Sequence, residues 1–411
     1  MNPLSQKNYR EYITIDDFLD KYNLIFFPNI KNGIIDDSNF RLGDKSHKIL
    51  PIVQLATIKH AKIICKIFKD VYNNTYPFKK LEDKNEIKYM IRSPKYKWLI
   101  FSTLDNEIIG CVGVKIKIKK KIGYIFGLAI KKRFQGKIDF KTWLLSIYYL
   151  WNHYKNRILI WTSEVRTYSK TPLFGESLVG LKPVGFLPNK DIFNNKIESE
   201  FLTIVYDKDV FKKHRSPKKI RLLKEIQPIY EYSNERYDLG KPIYKSPILN
   251  LNKKKILRLK DKIIIKTISD KYQNTIKSMR IKNSNSYFQF QYNSINNNIE
   301  NVKYFTEDLE ELIIFIRKLR LFIEKYNVRY AECYVSAYSP KVQKVFYETG
   351  FRPSGYLPCI QYDKGTDSFQ DTIIFNYYQG TIDPTLEDKL SKETKMLYRI
   401  FMKIPKILFL D

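Results

Sequence analysis

Lysine and arginine carry the clearest chemical pattern in this chain. Of 411 residues, 73 are Lys or Arg and 43 are Asp or Glu, a formal net charge of +30. Residues 112–137 hold nine of the basic residues and no acid: Lys115, Lys117, Lys119, Lys120, Lys121, Lys131, Lys132, Arg133 and Lys137. A cluster of that kind draws in polyanions, whether a phosphate-bearing small molecule or nucleic acid. A second basic run covers residues 207–262, with 17 Lys or Arg against 7 Asp or Glu. Other chemistries are excluded by count and spacing. Cys65, Cys111, Cys333 and Cys359 stand far apart, and His47, His60, His153 and His214 do not cluster. Neither a disulfide scaffold nor a zinc site is expected.

Such residues need a frame, and the composition supplies one. At 44% hydrophobic and 15% aromatic, the chain can bury cores. Its length suggests two domains, or three small ones. No run reaches the roughly 18 apolar residues of a membrane span. The start, MNPLSQKNYREY, lacks the basic flank and apolar stretch of a signal peptide. A cytoplasmic protein is the expectation.

Residues 1–50 read as an appendage, with Thr14 to Asp17 capping a short helix over Phe18–Tyr22, then a strand at Leu24–Pro28. Residues 51–206 read as strand, helices, antiparallel meander, helix, strand, helix, strand, strand. The meander comprises Trp98–Ser102, Ile108–Ile118 and Ile122–Ile130. The period-two run Lys115–Lys119 predicts one wet face and one buried face, with the lysines solvated. Trp143 to Tyr154 predicts a helix with a broad apolar face. Gly180 marks the end of a short helix from Pro172. The basic run 207–262 reads as a connector packed partly on the surface. A second unit spans 263–380, with a helix over Glu307–Tyr326, and 381–411 reads as a helical tail that packs on its own protein.

The strongest long-range signal is self-similarity. Residues 165–188 and 335–358 align without a gap at an offset of 170. Val165/Val335, Tyr168/Tyr338, Ser169/Ser339, Gly180/Gly350, Pro183/Pro353, Gly185/Gly355, Leu187/Leu357 and Pro188/Pro358 are identical. The pattern predicts a tandem duplication whose second copy is shortened in its front half.

The element order and these segments resemble the GNAT N-acyltransferase superfamily. Asp105 to Gly110 is similar to the hairpin between that family's second and third strands. Ile130-Lys131-Lys132-Arg133-Phe134-Gln135-Gly136-Lys137 resembles its fourth strand running into the acyl-CoA pyrophosphate loop. The resemblance implies an α/β fold of two GNAT-like domains, each a mostly antiparallel central sheet with helices on both faces. It implies an acetyl-CoA or other acyl-CoA co-substrate held by Leu128, Ala129, Ile130, Arg133, Gln135, Gly136, Lys137, Ile138 and Ser169. Such a loop aims backbone N–H groups and a helix N-terminus at the pyrophosphate. Here Ile138 and Phe140 stand where the family has glycines, and Asn301–Glu311 in the second copy has none.

The resemblance also implies roles in acyl transfer: Glu164 as base, and Tyr347 or Tyr168 as the acid that reprotonates the thiolate. The reaction would be direct attack of a substrate amine, of a small molecule or peptide, on the thioester, without a metal. Two other readings stay open. One is a non-catalytic tandem scaffold binding nucleic acid or an acidic partner through the basic connector. The other is an acyltransferase fed by an acyl-carrier protein.

Overall fold

Apolar residues at helical or alternate spacing set the elements of the computed structural model, which describes residues 14–21, 30–31, 34–35 and 48–405. The chain begins with α1 (Ile15–Lys21), β1 (Ile30–Lys31), β2 (Ile34–Ile35), β3 (Ile52–Leu55), α2 (Ala61–Val71) and α3 (Lys84–Arg92). It continues through β4 (Tyr96–Ser102), β5 (Ile108–Lys117), β6 (Ile122–Ile130), α4 (Lys141–His153), β7 (Ile160–Arg166), α5 (Lys170–Leu178), β8 (Lys182–Phe193) and β9 (Lys196–Tyr206). The middle holds β10 (Arg221–Leu223), α6 (Gln227–Tyr237), β11 (Ile243–Lys245) and α7 (Lys253–Lys260). Then follow β12 (Ile263–Ser269), β13 (Asn274–Ile281), β14 (Tyr287–Asn293), β15 (Asn298–Phe305), α8 (Leu309–Lys325), β16 (Tyr330–Ser336), α9 (Pro340–Glu348), β17 (Arg352–Asp363), β18 (Ser368–Tyr378) and α10 (Lys392–Lys403).

Among the described residues, 16 strands join one mixed, mostly antiparallel sheet. Its order is β1-β2-β3-β4-β5-β6-β7-β9-β8-β17-β18-β16-β15-β14-β13-β12. The order from β3 to β8 is the mirror of that from β17 to β12, and the two series meet where Gly185 pairs with Gly355. The contact admits no side chain. A Cβ on Gly355 would lie 2.5 Å from the Cα of Gly185 and 2.6 Å from the carbonyl oxygen of Val184. In each half a central parallel pair, β6–β7 or β15–β16, is bridged by a long helix, α4 or α8. Helices α5 and α9 are followed by Gly180 and Gly350 at φ +76° and +85°, a left-handed turn that glycine enters without strain. The two series differ at their outer ends. Where the first places α2 and α3 between β3 and β4, the second closes β12 to β13 with the turn 270–273.

Two expectations change. The basic connector packs more deeply than partly on the surface: Ile220, Leu222, Leu223, Ile226, Ile229, Tyr230 and Tyr237 are buried in the core cluster that also holds the second half's apolar residues. Most of its lysines point outward, while Arg236 is buried and donates to the Pro183 carbonyl at 3.1 Å, and Arg215 pairs with the buried Asp371 at 2.8 Å. The first helix starts earlier than Phe18, at Ile15, where Thr14 and Asp17 exchange hydrogen bonds of 2.7 and 3.2 Å. Tyr22, the strand expected at Leu24–Pro28 and His47 lie outside the described residues. Helix α1 lays Phe18 edge-on to Trp151 at 4.9 Å, so α4, which is apolar nearly all round, is covered on the side away from the sheet. The C-terminal α10 packs Phe401 against Phe186 and Tyr378.

Candidate active site

The site is built where β6 leaves β7. The two strands pair in parallel only over Ile122–Ile125 and Ile160–Ser163, then diverge. Beyond that point β6 bulges. Its register against β5 slips between Cys111/Ala129 and Gly113/Phe126, so Gly127 and Leu128 together face Val112. The bulge takes backbone at Leu128 out of the ladder, and the Leu128 side chain is 46% exposed. Ala129 is buried and Ile130 half-buried. The carbonyl of Ile130 accepts from Gln135 Nε2 at 2.9 Å, folding the following loop back on the strand end.

That loop, 131–140, leads into α4, whose first turn carries no acid but whose Lys141 N–H already donates to Asp139 Oδ1 at 2.8 Å. Gly136 has φ +76° and open space where a Cβ would stand. Several of its polar groups are engaged. Lys131 lies 2.8 Å from Glu107, and Arg133 also pairs with Glu107, whose carboxyl these cations hold near 2. The N–H groups of Phe134, Gln135 and Lys137 turn inward to carbonyls of the same loop. Ile49 lies alongside: its N–H donates to Lys137 at 2.9 Å, and its carbonyl accepts from Asp139 at 2.9 Å. Ile138 bridges Ile49 and packs toward the core around α4. The Phe140 ring stands edge-on to Phe174 of α5 at 5.2 Å. Ser169 begins α5 without capping it through its side chain.

The three expected catalytic side chains are not brought together. Glu164 sits on β7 beside the gap, but Tyr124 donates to one of its oxygens at 3.1 Å and Lys190 Nζ lies 2.8 Å from the other. Tyr168 is 53% exposed and stacks under the Arg166 guanidinium at 4.6 Å. Tyr347 packs in the second half's core, where burial first, then Glu225, raises its pKa. It belongs to the other half's helix and not to the β6/β7 gap.

The equivalent gap in the second half is closed. Strand β10 runs onto it: Arg221 N–H donates to the carbonyl of Ala337 at 3.0 Å. Gln343 of α9 clamps the strand, donating to the Arg221 carbonyl at 3.0 Å and accepting from Leu223 N–H at 2.9 Å. The N-terminus of α8 is already supplied with negative charge. Asp308 caps it at 3.0 Å from Glu311 N–H, and Glu310 and Glu311 occupy the first turn. An added anion would meet like charges there.

No family model matches the chain, and no curated protein matches it. Solved structures similar to it are GNAT N-acetyltransferases. One is the ribosomal-protein-S5-alanine acetyltransferase from Vibrio fischeri, 14% identical, covering 41% of this chain and 97% of that one, with a TM-score of 0.33. Another is spermidine N-acetyltransferase from Vibrio cholerae in complex with CoA and spermine, 13% identical, covering 38% and 94%, also with a TM-score of 0.33.

Sequence reasoning missed the most densely charged group in the molecule. Lys190, on β8, is 1% exposed. Its ammonium lies 2.8 Å from Glu164 and 3.3 Å from both Glu300 of β15 and Glu332 of β16. Burial alone would lower its pKa, but Glu164, Glu332 and Glu300 outweigh that and hold it well above the usual range. Glu332 is pushed up to about 7, by burial first and then by its acidic neighbours against the pull of Lys190. Burial raises Glu300, Asp191 and Glu200 too. The β8–β9 hairpin that carries the lysine is pinned into the second half. Asn298 Nδ2 reaches Asp191 at 2.9 Å, and Arg329 Nη2 donates to the Lys190 carbonyl at 2.7 Å. One sign was present at sequence level. A Lys-Asp pair at 190–191 stands where the repeat has Ile360-Gln361.

Proposed function

We propose that the chain is an acyl-CoA-dependent N-acyltransferase built from two GNAT-like copies, with the donor held by the first and the second retained as structure. The observation that carries this reading is the β6/β7 divergence with its exposed bulge at Leu128. A thioester lying in the gap presents its carbonyl to backbone that the bulge has released from the ladder. A preorganised N–H there stabilises the oxyanion formed when a substrate amine attacks. Gln135, Gly136 and Lys137 form the loop toward which the pyrophosphate extends, with Lys132 and Lys137 as its cations. The second copy favours no donor, because β10 fills its gap and Asp308, Glu310 and Glu311 occupy its helix N-terminus.

Isothermal titration with acetyl-CoA tests the reading. Saturable binding is expected, and Gln135→Ala with Gly136→Asp is expected to abolish it. Gly136 has open space for the added side chain but stands at φ +76°, so the variant's melting temperature is measured beside its binding to separate a lost site from a lost fold. Absence of saturable binding at millimolar ligand, or unchanged binding in the variant, refutes it. A second reading, a scaffold without catalysis, is favoured by one observation. Ile49 and Glu107 already engage Lys137, Asp139, Lys131 and Arg133, the groups a donor would use.

A further inference from the structure

The two halves approach one another beside the β12–β13 turn, and Asn293 Nδ2 donates to the Pro77 carbonyl across them at 3.3 Å. One side is the α2/α3 face of β4, β5 and β6, where Lys115 pairs across strands with Tyr96 and Tyr124, so the three side chains share a face. Lys117 lies two residues further along the same face. The other side is β14 and β15, where Lys303 pairs with Gln289 and Glu300 with Gln291. The β12–β13 turn fastens the two sides together. Lys271 Nζ and Tyr272 Oη lie 2.9 and 2.6 Å from Asp83, and Lys80 lies 3.0 Å from Asp270. The Lys190 network forms the floor.

Lys115, Lys117 and Lys303 converge on this space. Lys303, Lys80 and Lys95 are the charges that bear on Lys115, and burial is the first cause lowering its pKa. Lys117 is lowered to about 8, by burial first, then by Lys115 and Lys120, with Glu164 opposing. Its side chain nevertheless keeps solvent contact. Protein crowds it while water still reaches it. Among the described residues, none of the three has a carboxylate at ion-pair distance. Lys117 and Lys119 are exposed, in keeping with the solvated face expected of this hairpin, and Lys115 is half-buried.

Like charges held together without a counter-ion oppose one another. Three of them are balanced by more than one unit of negative charge, which a phosphate supplies at neutral pH and a single carboxylate does not. The floor beneath has the opposite character, with Glu164, Glu300 and Glu332 sharing one lysine. We infer that this space binds a phosphorylated amine, with its phosphate between Lys115, Lys117 and Lys303 and its amine directed to the acidic floor beside the β6/β7 gap. As the identity of the acceptor, the inference rests on the acyl-transfer reading; as a binding site, it stands apart from it.

The experiment is calorimetric titration of the full chain with phosphoethanolamine and, separately, with ethanolamine and acetyl-CoA. Phosphoethanolamine is expected to bind at least about tenfold more tightly than ethanolamine. Lys117→Gln with Lys303→Gln is expected to remove about that tenfold while acetyl-CoA binding is unchanged. Both residues are exposed, so the variant keeps the wild-type melting temperature. Equal binding of the two amines, wild-type binding by the variant, or loss of acetyl-CoA binding together with phosphoethanolamine overturns the inference. If acetyl-CoA fails to bind the wild type while phosphoethanolamine behaves as described, the acyl-transfer reading falls and the phosphate site stands.

Discussion

Replacing Lys190 with methionine removes the only cation among three carboxylates. Its contacts at 2.8, 3.3 and 3.3 Å are each worth roughly 5–6 kcal/mol of gross attraction at an effective dielectric near 20. Desolvation of the lysine and repulsion among Glu164, Glu300 and Glu332 offset most of that. What remains after truncation is a group of buried acids with no partner, and breaking such a pair costs about 3–5 kcal/mol. That is a large share of the roughly 5–15 kcal/mol that holds a folded protein together. Urea unfolding followed by tryptophan fluorescence reads it directly, since Trp98 and Trp161 are fully buried. Lys190→Met should shift the midpoint far down at pH 8 and less at pH 5, where the carboxylates take up protons. Adding Glu332→Gln to Lys190→Met removes one of the stranded charges and should restore stability. A Lys190→Met protein within about 1 kcal/mol of wild type would refute the argument. So would a double variant less stable than the single one.

Two further outcomes follow from buried groups. Burial lifts Glu176 to about 8 despite hydrogen bonds from Thr203 and Ser163. A raised carboxyl pKa means that the folded state holds the proton more tightly. Stability is therefore full below the unfolded value of 4.5 and is lost as pH rises toward 8. The span corresponds to roughly 5 kcal/mol at 1.36 kcal/mol per unit. Glu176→Gln should flatten that slope in denaturation measured from pH 5 to 8, and an unchanged slope would assign it elsewhere. Gly355→Ala places a methyl group 2.5 Å from backbone at the centre of the sheet, so a loss of about 3 kcal/mol or more is expected, read as insolubility or a lowered unfolding midpoint. A soluble variant of wild-type stability would show that the strand crossing yields.

The sequence carried the fold further than the site. The offset of 170 put Gly185 and Gly355 in register, and they prove to be the residues on which the two series of strands meet. The missing front helices of the second half were visible as a shorter interval before Glu307. Local signals read these well because turns and apolar periods are local. Lys190 was invisible because its partners lie far along the chain, Glu332 being 142 residues away. The connector misled because charge counts outnumbered its apolar residues, although Leu222, Ile226 and Tyr230 are the ones that decide its place. Lys131 and Arg133 looked free for phosphate, but Glu107, in the turn before β5, holds both.

The glycine crossing has one more consequence. A position that touches its own counterpart is the mark of an isologous interface, the kind a two-fold homodimer forms. On the tandem reading, Gly185 against Gly355 is such an interface made permanent by gene fusion. A homodimer must change both subunits at once, whereas a fused pair is free to diverge. One copy could keep an open gap while the other surrendered its own to β10, and a lysine could appear at 190 with no obligation to appear at 360. On that reading, the asymmetry between the halves is one that two identical subunits could not have acquired.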